Sequence, residues 1–320
     1  MRSWLCAAGL LGALSASAPV DAKATYITFA PSGADRTFAR SINSSGTIAG
    51  SYEDSIGSHG YFRTAGGTIT TFDAGSSPGT QASSINDSGT ITGIYYDDSG
   101  QHGFVRDAGG AMTIFDLSGS TSVTPQSVNR GGTITGTYYA DQNHGFIRSP
   151  DGTITTFDPV GSRDTVAYGI NDKGFVAGSW SDTATHGYVR TPDGTVTSFD
   201  PAGSDYTFAV GINNSGTIVG YFMSEGYMHG FLRTADGTIT KFNAGTYIFV
   251  TGINQKGDAV GYGDNGRRDH GFERRTSGAI TKFSVPGPPD TLPYAINKSG
   301  WITGEWENKQ GEHGAFLRTP

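Results

Sequence analysis

Short apolar runs alternate with polar turns along this chain, and the pattern repeats every 41 to 43 residues. In the copy from Ala167 to Ser204, four runs rich in Val, Tyr, Thr and Phe are separated by Asn, Asp and Gly. A period of about 40 to 45 residues with four short strands per copy is typical of a β-propeller blade. Seven copies align on a repeated Asn and a repeated His, at Asn43, Asn86, Asn129, Asn171, Asn213, Asn254 and Asn297, and at His59, His102, His144, His186, His229, His270 and His313.

Each copy is predicted to form four strands. In the copy above they run from Val166 to Asn171, Phe175 to Trp180, His186 to Arg190 and Gly194 to Asp200. The N-x-x-G step between the first two strands predicts a tight turn, in which Asn accepts local backbone hydrogen bonds and Gly supplies a positive φ. No helical periodicity persists anywhere, so the fold class is all-β.

The two ends of the chain complement each other. The stretch from Tyr26 to Gly33 matches only the end of a repeat, whereas the seventh copy stops at Pro320 before its own fourth strand. An N-terminal strand that completes the last sheet removes the open edges of an unclosed array. We therefore expect one domain, residues 23–320, forming a seven-bladed β-propeller of four-stranded blades whose ring is closed by the N-terminal strand.

Two prolines indicate the strand order. Pro125 and Pro293 each lie four residues before the repeated Asn, and proline is confined to sheet edges because it cannot donate to a ladder. The first strand should then be the inner edge that lines the channel. The tight turns share one face of the ring and the longer, more varied loops share the other, so we expect binding on the loop face.

Composition narrows the classes of partner. The formal net charge is −7, and the sequence has no Lys/Arg cluster. Nucleic acid and anionic membrane surfaces both require dense positive charge, so neither is an expected partner. The 49 glycines recur at fixed places in the repeat and indicate turns.

The first 22 residues are predicted to be a secretory signal peptide. Arg2 precedes an apolar run from Trp4 to Leu14, and small residues lead to a cleavage site after Ala22. The apolar run is too short to span a bilayer. Cys6, the only cysteine, would be removed with it, so the mature chain needs no disulfide. We expect a secreted or periplasmic protein without membrane insertion, and a monomer.

The recurrent INxxGTIxGxY…HGFxRxxDGTITTFD pattern resembles the HAF (His-Ala-Phe) family of probable extracellular repeat proteins. Here the triplet is mostly His-Gly-Phe or His-Gly-Tyr, as at His102 and His186, and Ala-Phe occurs only at Ala315-Phe316. The resemblance covers all seven copies. It implies an exported repeat protein of propeller type, and it assigns no activity and no functional residue.

The polar residues present in every copy are interpreted as structural. One His per blade at the start of the third strand lies too far from its neighbours to share a metal, so we expect no metal and no cofactor. The Phe-Asp pair, as at Phe157-Asp158, is interpreted as inter-blade packing plus capping of the following turn. The Arg of HGFxR is interpreted as structural or as a solvated flank.

A ring of aromatic residues is the candidate binding site. These residues end the second strands at Tyr52, Tyr95, Tyr138, Trp180, Phe222 and Trp306, and the sixth copy has Gly263 instead. Rings presented around one face suit stacking on sugars, and the alternative is packing between blades. Packing between blades is the favoured interpretation, because repeat proteins often use an aromatic residue at a repeated position for packing.

Catalysis would need a break in the sevenfold pattern. The least repetitive polar residues are in copies six and seven, namely Arg267, Arg268, Asp269, Glu305, Glu307 and Glu312. Paired acids there could cleave a glycan, a reaction that needs two carboxylates about 5–10 Å apart. We expect a non-catalytic module that binds a glycan or a surface protein. The alternative is a polysaccharide-cleaving enzyme, a lyase or glycoside hydrolase, with its site on the loop face; a structural protein without a small ligand is the third possibility.

Overall fold

The structure is a computed structural model, and it describes residues 24–76, 78–264, 266, 268–287 and 290–320. Within these ranges every regular element is a β-strand, which confirms the all-β class. The described part of the chain contains no helix of the length and apolarity that crossing a bilayer requires. The expected signal peptide, residues 1–22, lies outside the described residues.

Twenty-eight strands occur in the described residues. The first fourteen are β1 (Thr25–Phe29), β2 (Arg36–Ile42), β3 (Ile48–Glu53), β4 (Ser58–Arg63), β5 (Ile69–Phe72), β6 (Thr80–Ile85), β7 (Ile91–Asp97), β8 (Gly100–Arg106), β9 (Met112–Phe115), β10 (Ser122–Val128), β11 (Ile134–Tyr139), β12 (Asn143–Arg148), β13 (Ile154–Phe157) and β14 (Asp164–Ile170). The others are β15 (Val176–Ser181), β16 (Thr185–Arg190), β17 (Val196–Phe199), β18 (Tyr206–Ile212), β19 (Ile218–Ser224), β20 (Tyr227–Arg233), β21 (Ile239–Phe242), β22 (Tyr247–Ile253), β23 (Ala259–Asp264), β24 (Asp269–Arg274), β25 (Ile280–Phe283), β26 (Asp290–Ile296), β27 (Ile302–Glu307) and β28 (His313–Thr319).

The strands pair in antiparallel sets of four, which we call units. Unit 1 is β2–β5, and units 2 to 6 follow as β6–β9, β10–β13, β14–β17, β18–β21 and β22–β25. Unit 7 is β26–β28 completed by β1, which pairs antiparallel with β28 from Thr25↔Thr319 to Phe29↔Ala315. The N-terminal strand therefore supplies the strand that the last repeat lacks, as its sequence predicts.

The first strand of each unit is its inner edge, in agreement with the two prolines. It contacts the first strand of the next unit, and β26 of unit 7 contacts β2 of unit 1. Each first strand carries a bulge at the third residue before the repeated Asn, as at Val210 between Ala209 and Gly211. A bulge re-aims the side chain that it carries. It also explains Gly220 on β19, because a Cβ there would lie 1.9 Å from the carbonyl oxygen of Phe208.

The core lies between the units. The Phe that ends each fourth strand packs edge-to-face on the third strand of the next unit, as Phe199 does on Phe231 at 5.9 Å between centroids. The Arg of HGFxR lies over the same Phe, as Arg233 does at 4.8 Å. In unit 7 the Phe comes from β1, and Phe29 packs on Tyr61 of unit 1. The inter-unit packing of Phe is confirmed, and the Arg is structural.

The repeated Asn does more than form its turn. Asn43 Oδ1 accepts from the backbone N–H groups of Ser45 and Thr47, as expected of this turn, and Gly46 has φ +85°. Each Asn Nδ2 also donates to the carbonyl oxygen of the next unit's Asn. These bonds pass through all seven Asn and end with Asn297 donating to the Asn43 carbonyl at 3.0 Å. The sequence predicted the local bonds but not this circuit.

Candidate functional site

The histidines contact acidic or polar residues of their own unit, and His313 of unit 7 also lies 3.3 Å from Arg36 Nη2 of unit 1. His102 Nδ1 lies 2.8 Å from Asp116 Oδ1, and its Nε2 lies 3.1 Å from Asp97 Oδ1. The partner at Asp116 is the Asp of the Phe-Asp pair, and Asn243 replaces it beside His229 at 2.7 Å. These contacts explain why the pair tolerates a neutral residue. Among the described residues, no group of three or more His, Cys, Asp or Glu could hold a metal ion.

Five of the six predicted aromatic residues pack onto these histidines, and Trp306 instead packs against the hydrophobic core that contains Phe316. Tyr52 stacks on His59 with centroids 5.0 Å apart, and Trp180 lies 4.9 Å from His186. Tyr52, Tyr95 and Phe222 are only 8%, 3% and 1% exposed, whereas Tyr138, Trp180 and Trp306 are half-buried. The buried members have no open face for a sugar. This burial is what the packing alternative describes.

A different row of aromatic residues crosses the first and second strands of units 5 and 6 and reaches the first strand of unit 7. Tyr221 stacks on Phe208 at 5.0 Å and meets Phe249 edge-to-face at 5.3 Å. Phe249 stacks on Tyr262, which in turn meets Tyr294 at 6.5 Å. We call these five residues the aromatic row. Burial raises the pKa of Tyr262 to about 12, so its hydroxyl stays protonated at neutral pH.

The row ends at a charged pair where unit 7 meets unit 1. The Arg40 guanidinium lies 4.5 Å from the ring centroid of Tyr294, and its Nη1 lies 3.1 Å from Glu305 Oε1. Glu305 is only 6% exposed. Burial raises the pKa of Glu305 to about 7, although the positive charges of Arg40 and Arg36 oppose the shift.

A cavity of about 480 Å³ lies at the centre, where the first strands of all units meet. Its lining runs from the bulge residues to the residue after each repeated Asn, so it lies at the tight-turn end of the channel. The sequence placed binding at the opposite, loop end. The bulge residues in its lining are Arg40, Ser83, Gln126, Tyr168, Val210, Thr251 and Tyr294.

The acids singled out in the sequence have different partners. Glu305 pairs with Arg40, and Glu307 Oε1 lies 3.5 Å from His313 Nε2. Glu312 accepts from Asn308 within its own loop. Asp269 is half-buried; burial raises its pKa, and the nearby charges of Asp290 and Asp264 add to the shift. Arg267 lies outside the described residues.

Sequence reasoning missed Arg40 and Tyr294. Both occupy the third position before the repeated Asn, where no two neighbouring copies share a residue. That variability is a usable signal, and the residue after the repeated Asn, which also lines the cavity, varies in the same way, from Ser44 to Arg130 to Lys298. The sequence did single out Glu305 among the least repetitive polar residues, but not as a neighbour of this cavity.

Solved structures share this architecture. The chain is similar to virginiamycin B lyase from Staphylococcus aureus, with a TM-score of 0.67 and 12% identity over 93% of this chain and all (100%) of the other. It is also similar to the β-propeller domain of the Trilobed protease from Pyrococcus furiosus, with a TM-score of 0.61 and 10% identity over 89% of this chain and 94% of that domain. The fold is that of a β-propeller.

A third propeller agrees with this assignment. The β-propeller domain of Swd1 from Myceliophteria thermophila gives a TM-score of 0.59 and 8% identity over 92% of this chain and 99% of that domain. Identities this low establish the propeller fold alone. No protein-family model matches the sequence, and no curated protein matches it either.

Proposed function

We propose that the propeller has seven blades and is closed into a ring by its N-terminal strand. Three contacts at the junction of units 7 and 1 support this. β1 pairs with β28, Phe29 of β1 packs on Tyr61, and Asn297 donates to the Asn43 carbonyl. The last two repeat contacts that every other junction makes. Membership of the HAF family and export through a signal peptide belong to the same proposal and rest on the repeat motif and the N-terminal segment.

We propose that the protein is a non-catalytic module that binds a glycan in the central cavity. The observation that carries this proposal is the lining of that cavity: the Tyr294 ring, backed by Arg40, and the Tyr168 ring share it with the polar side chains of Ser83 and Gln126. A concave site that combines flat aromatic surface with a few polar groups is what a small polar ligand requires. A volume of about 480 Å³ accommodates a short oligosaccharide end.

The arrangement favours binding over cleavage. Cleavage of a glycoside needs two carboxylates on either side of one bond, and the lining carboxylates, Asp87 and Asp172, accept hydrogen bonds from neighbouring turns. The same lining favours a small ligand over a protein partner, because a protein interface needs a broad surface rather than an enclosed cavity.

The test is a glycan-array screen of the full chain, followed by calorimetry on the hits. Replacing Tyr294 by Ala should weaken binding of a hit by about tenfold or more, because it removes a ring that stacks on the sugar. Tyr168→Ala should act in the same direction. The control is Tyr139→Ala, which removes an exposed tyrosine at the loop end of β11 and should leave the affinity unchanged.

Two results would contradict the proposal. One is an array without any hit for folded protein. The other is a hit whose affinity responds to Tyr139→Ala and not to Tyr294→Ala or Tyr168→Ala, which would move the site to the loop face. Melting curves of each variant separate lost binding from lost folding.

A further inference from the structure

The arginine in the cavity points to the chemistry of the ligand. Arg40 sits on the bulge of β2, and its side chain is 38% exposed, whereas its partner Glu305 is buried. Its Nη1 lies 3.1 Å from Glu305 Oε1, and its Cζ lies 4.5 Å and 5.3 Å from the ring centroids of Tyr294 and Phe38. A guanidinium has five N–H donors, so Arg40 keeps donors for a ligand in the cavity.

The charged residues that line the cavity also bear on the chemistry of the ligand. Three basic side chains, Arg40, Arg130 and Lys298, line the cavity beside two acidic ones, Asp87 and Asp172. Both acids are already engaged by backbone donors, Asp87 by Ser44 and Asp172 by Arg130. The lining therefore carries three basic and two acidic residues in a protein whose net charge is −7, and Glu305 behind Arg40 adds less than a full negative charge at neutral pH because its pKa is raised to about 7. A lining with more basic than acidic residues favours an anionic ligand group.

We propose that the glycan is acidic, that Arg40 binds the carboxylate of a uronic acid residue beside the Tyr294 ring, and that Glu305 takes up one proton as that carboxylate arrives. This inference rests on the proposed glycan site and names its substrate class. Arg–carboxylate pairing is directional and charge-assisted, so it selects the acid over its neutral ester. No covalent step is involved.

Proton uptake follows from the sharing of one arginine by two carboxylates. A ligand carboxylate at Arg40 weakens the attraction between Arg40 and Glu305 and adds a negative charge nearby, so protonated Glu305 becomes favoured. The other groups that act on Glu305 are the positive charge of Arg36 and the negative charge of Glu307. Tyr61, Tyr262 and Tyr294, which also face it, stay neutral because burial raises the pKa of each.

The coupling between Glu305 and the ligand carboxylate determines whether the affinity for the acid rises or falls with pH. Free Glu305 has a pKa of about 7, and the bound ligand raises that pKa further. Below the free pKa the carboxyl is protonated in both states, so affinity for the acid does not change with pH. Above it, binding requires a proton, and affinity should fall by up to about tenfold per pH unit until the pKa of the complex is passed.

The experiment compares short oligomers of galacturonate, glucuronate and mannuronate with their own methyl esters, by calorimetry at pH 6.0 and pH 8.5. For at least one pair, the acid should bind about tenfold or more tightly than its ester at pH 6.0, and this preference should shrink at pH 8.5. Repeating the titration near pH 7.5 in two buffers of different ionisation enthalpy should show uptake of up to one proton for the acid and none for the ester.

Variants test whether Arg40 and Glu305 cause the preference for the acid and its pH dependence. Glu305→Gln should keep the preference for the acid but lose its pH dependence and the proton uptake. Arg40→Met alone would leave a buried carboxylate unpaired, so it is combined with Glu305→Gln; this double variant should bind acid and ester equally. Arg36→Gln is the control for binding, because Arg36 lies over Phe38 of β2 but does not line the cavity: it should keep the acid preference at pH 6.0, while loss of its positive charge should raise the pKa of Glu305 further.

Three other outcomes would contradict one or both proposals. Equal binding of every acid and its ester, with Tyr294 still required, would overturn the acidic ligand and leave the glycan site standing. A double variant that keeps the acid preference would remove the role of Arg40. Absence of binding by any glycan, acidic or neutral, to folded protein would overturn both proposals.

Discussion

The two ends of the central channel differ in which parts of the repeat vary between units and which stay constant. At the loop end, the loops differ in length and sequence from unit to unit, yet five aromatic residues near the ends of the second strands pack on a repeated His, as Tyr52 does on His59. At the tight-turn end, the backbone turns are nearly identical, and the Asn side chains form one continuous circuit. The cavity with Arg40 and Tyr294 nevertheless lies at this second end.

The comparison shows which kind of sequence variation between repeats indicates a binding site. A loop can vary because little depends on its length, and a variable loop can still present a side chain that is always buried. A bulge residue on an innermost strand is different, because its side chain faces the cavity whatever its type. Variation there, from Ser83 to Arg40 to Tyr294, changes the chemistry of the cavity without changing the fold.

The largest expected effect tests the Asn circuit against an ordinary turn. Asn297→Ala leaves the backbone N–H groups of Ser299 and Trp301 without their partner, and the Asn43 carbonyl keeps only the hydrogen bond from the Gly46 N–H. We expect a loss of about 3 kcal/mol in the free energy of unfolding, because each buried unsatisfied polar group costs about 1–3 kcal/mol. Denaturant unfolding measures it.

The loop end provides the matched control for this change. Asn308 makes the same N-x-x-G turn, in which its Oδ1 accepts from Gln310 and Glu312, but it is only half-buried and its Nδ2 donates to Glu312 of the same loop. Asn308→Ala should cost about 1 kcal/mol or less, since water replaces the lost partner. Equal losses for the two variants would mean that the circuit adds nothing to the turns it links.

An intermediate effect separates the predicted aromatic ring from the cavity. Trp180→Ala removes a ring that packs on His186 and whose Nε1 donates to Ser198. We expect it to lower stability by about 2 kcal/mol, because truncating a partly buried aromatic side chain loses its packing. Glycan affinity should not change. Loss of binding with unchanged melting would restore Trp180 to the site and place the ligand on the loop face.

The smallest effect is a pH dependence of stability that belongs to the loop end. Burial alone would lower the pKa of His102, but its hydrogen bonds to Asp116 and Asp97 and the charges of those acids outweigh burial, so the pKa is raised. The stabilisation is complete below the unfolded pKa of about 6.5 and is lost as pH rises through the folded pKa. Melting temperatures measured from pH 6 to pH 9 should fall slightly over this range.

Variants at equivalent positions sharpen the same prediction. Asp116→Asn should reduce the decline in melting temperature with pH, since His102 loses one of its two acidic partners. Asn243→Asp in unit 5 should increase it, because it gives His229 the acidic partner that His102 has. A decline that neither variant alters would exclude the histidines as its source.

Much of the fold followed from the repeat alone. Asn, Gly, His and Phe recur at fixed spacing because each makes a contact within its own unit or with the next one, and such contacts are the same in every copy. The unmatched strand at Tyr26 to Gly33 predicted the pairing of β1 with β28. The last repeat lacks a fourth strand, and the N-terminal strand belongs to no other repeat, so the two were expected to pair.

The site needed the tertiary structure. Arg40 and Tyr294 are far apart in sequence, and only the contact between units 7 and 1 brings the guanidinium over the ring. The direction of both side chains depends on a bulge, and a bulge is a property of the paired strands that one strand's sequence does not specify. The sequence by itself determined the repeating unit, whose contacts are periodic; the tertiary structure decided the cavity, because a site built from non-repeating positions exists only once the units are arranged around it.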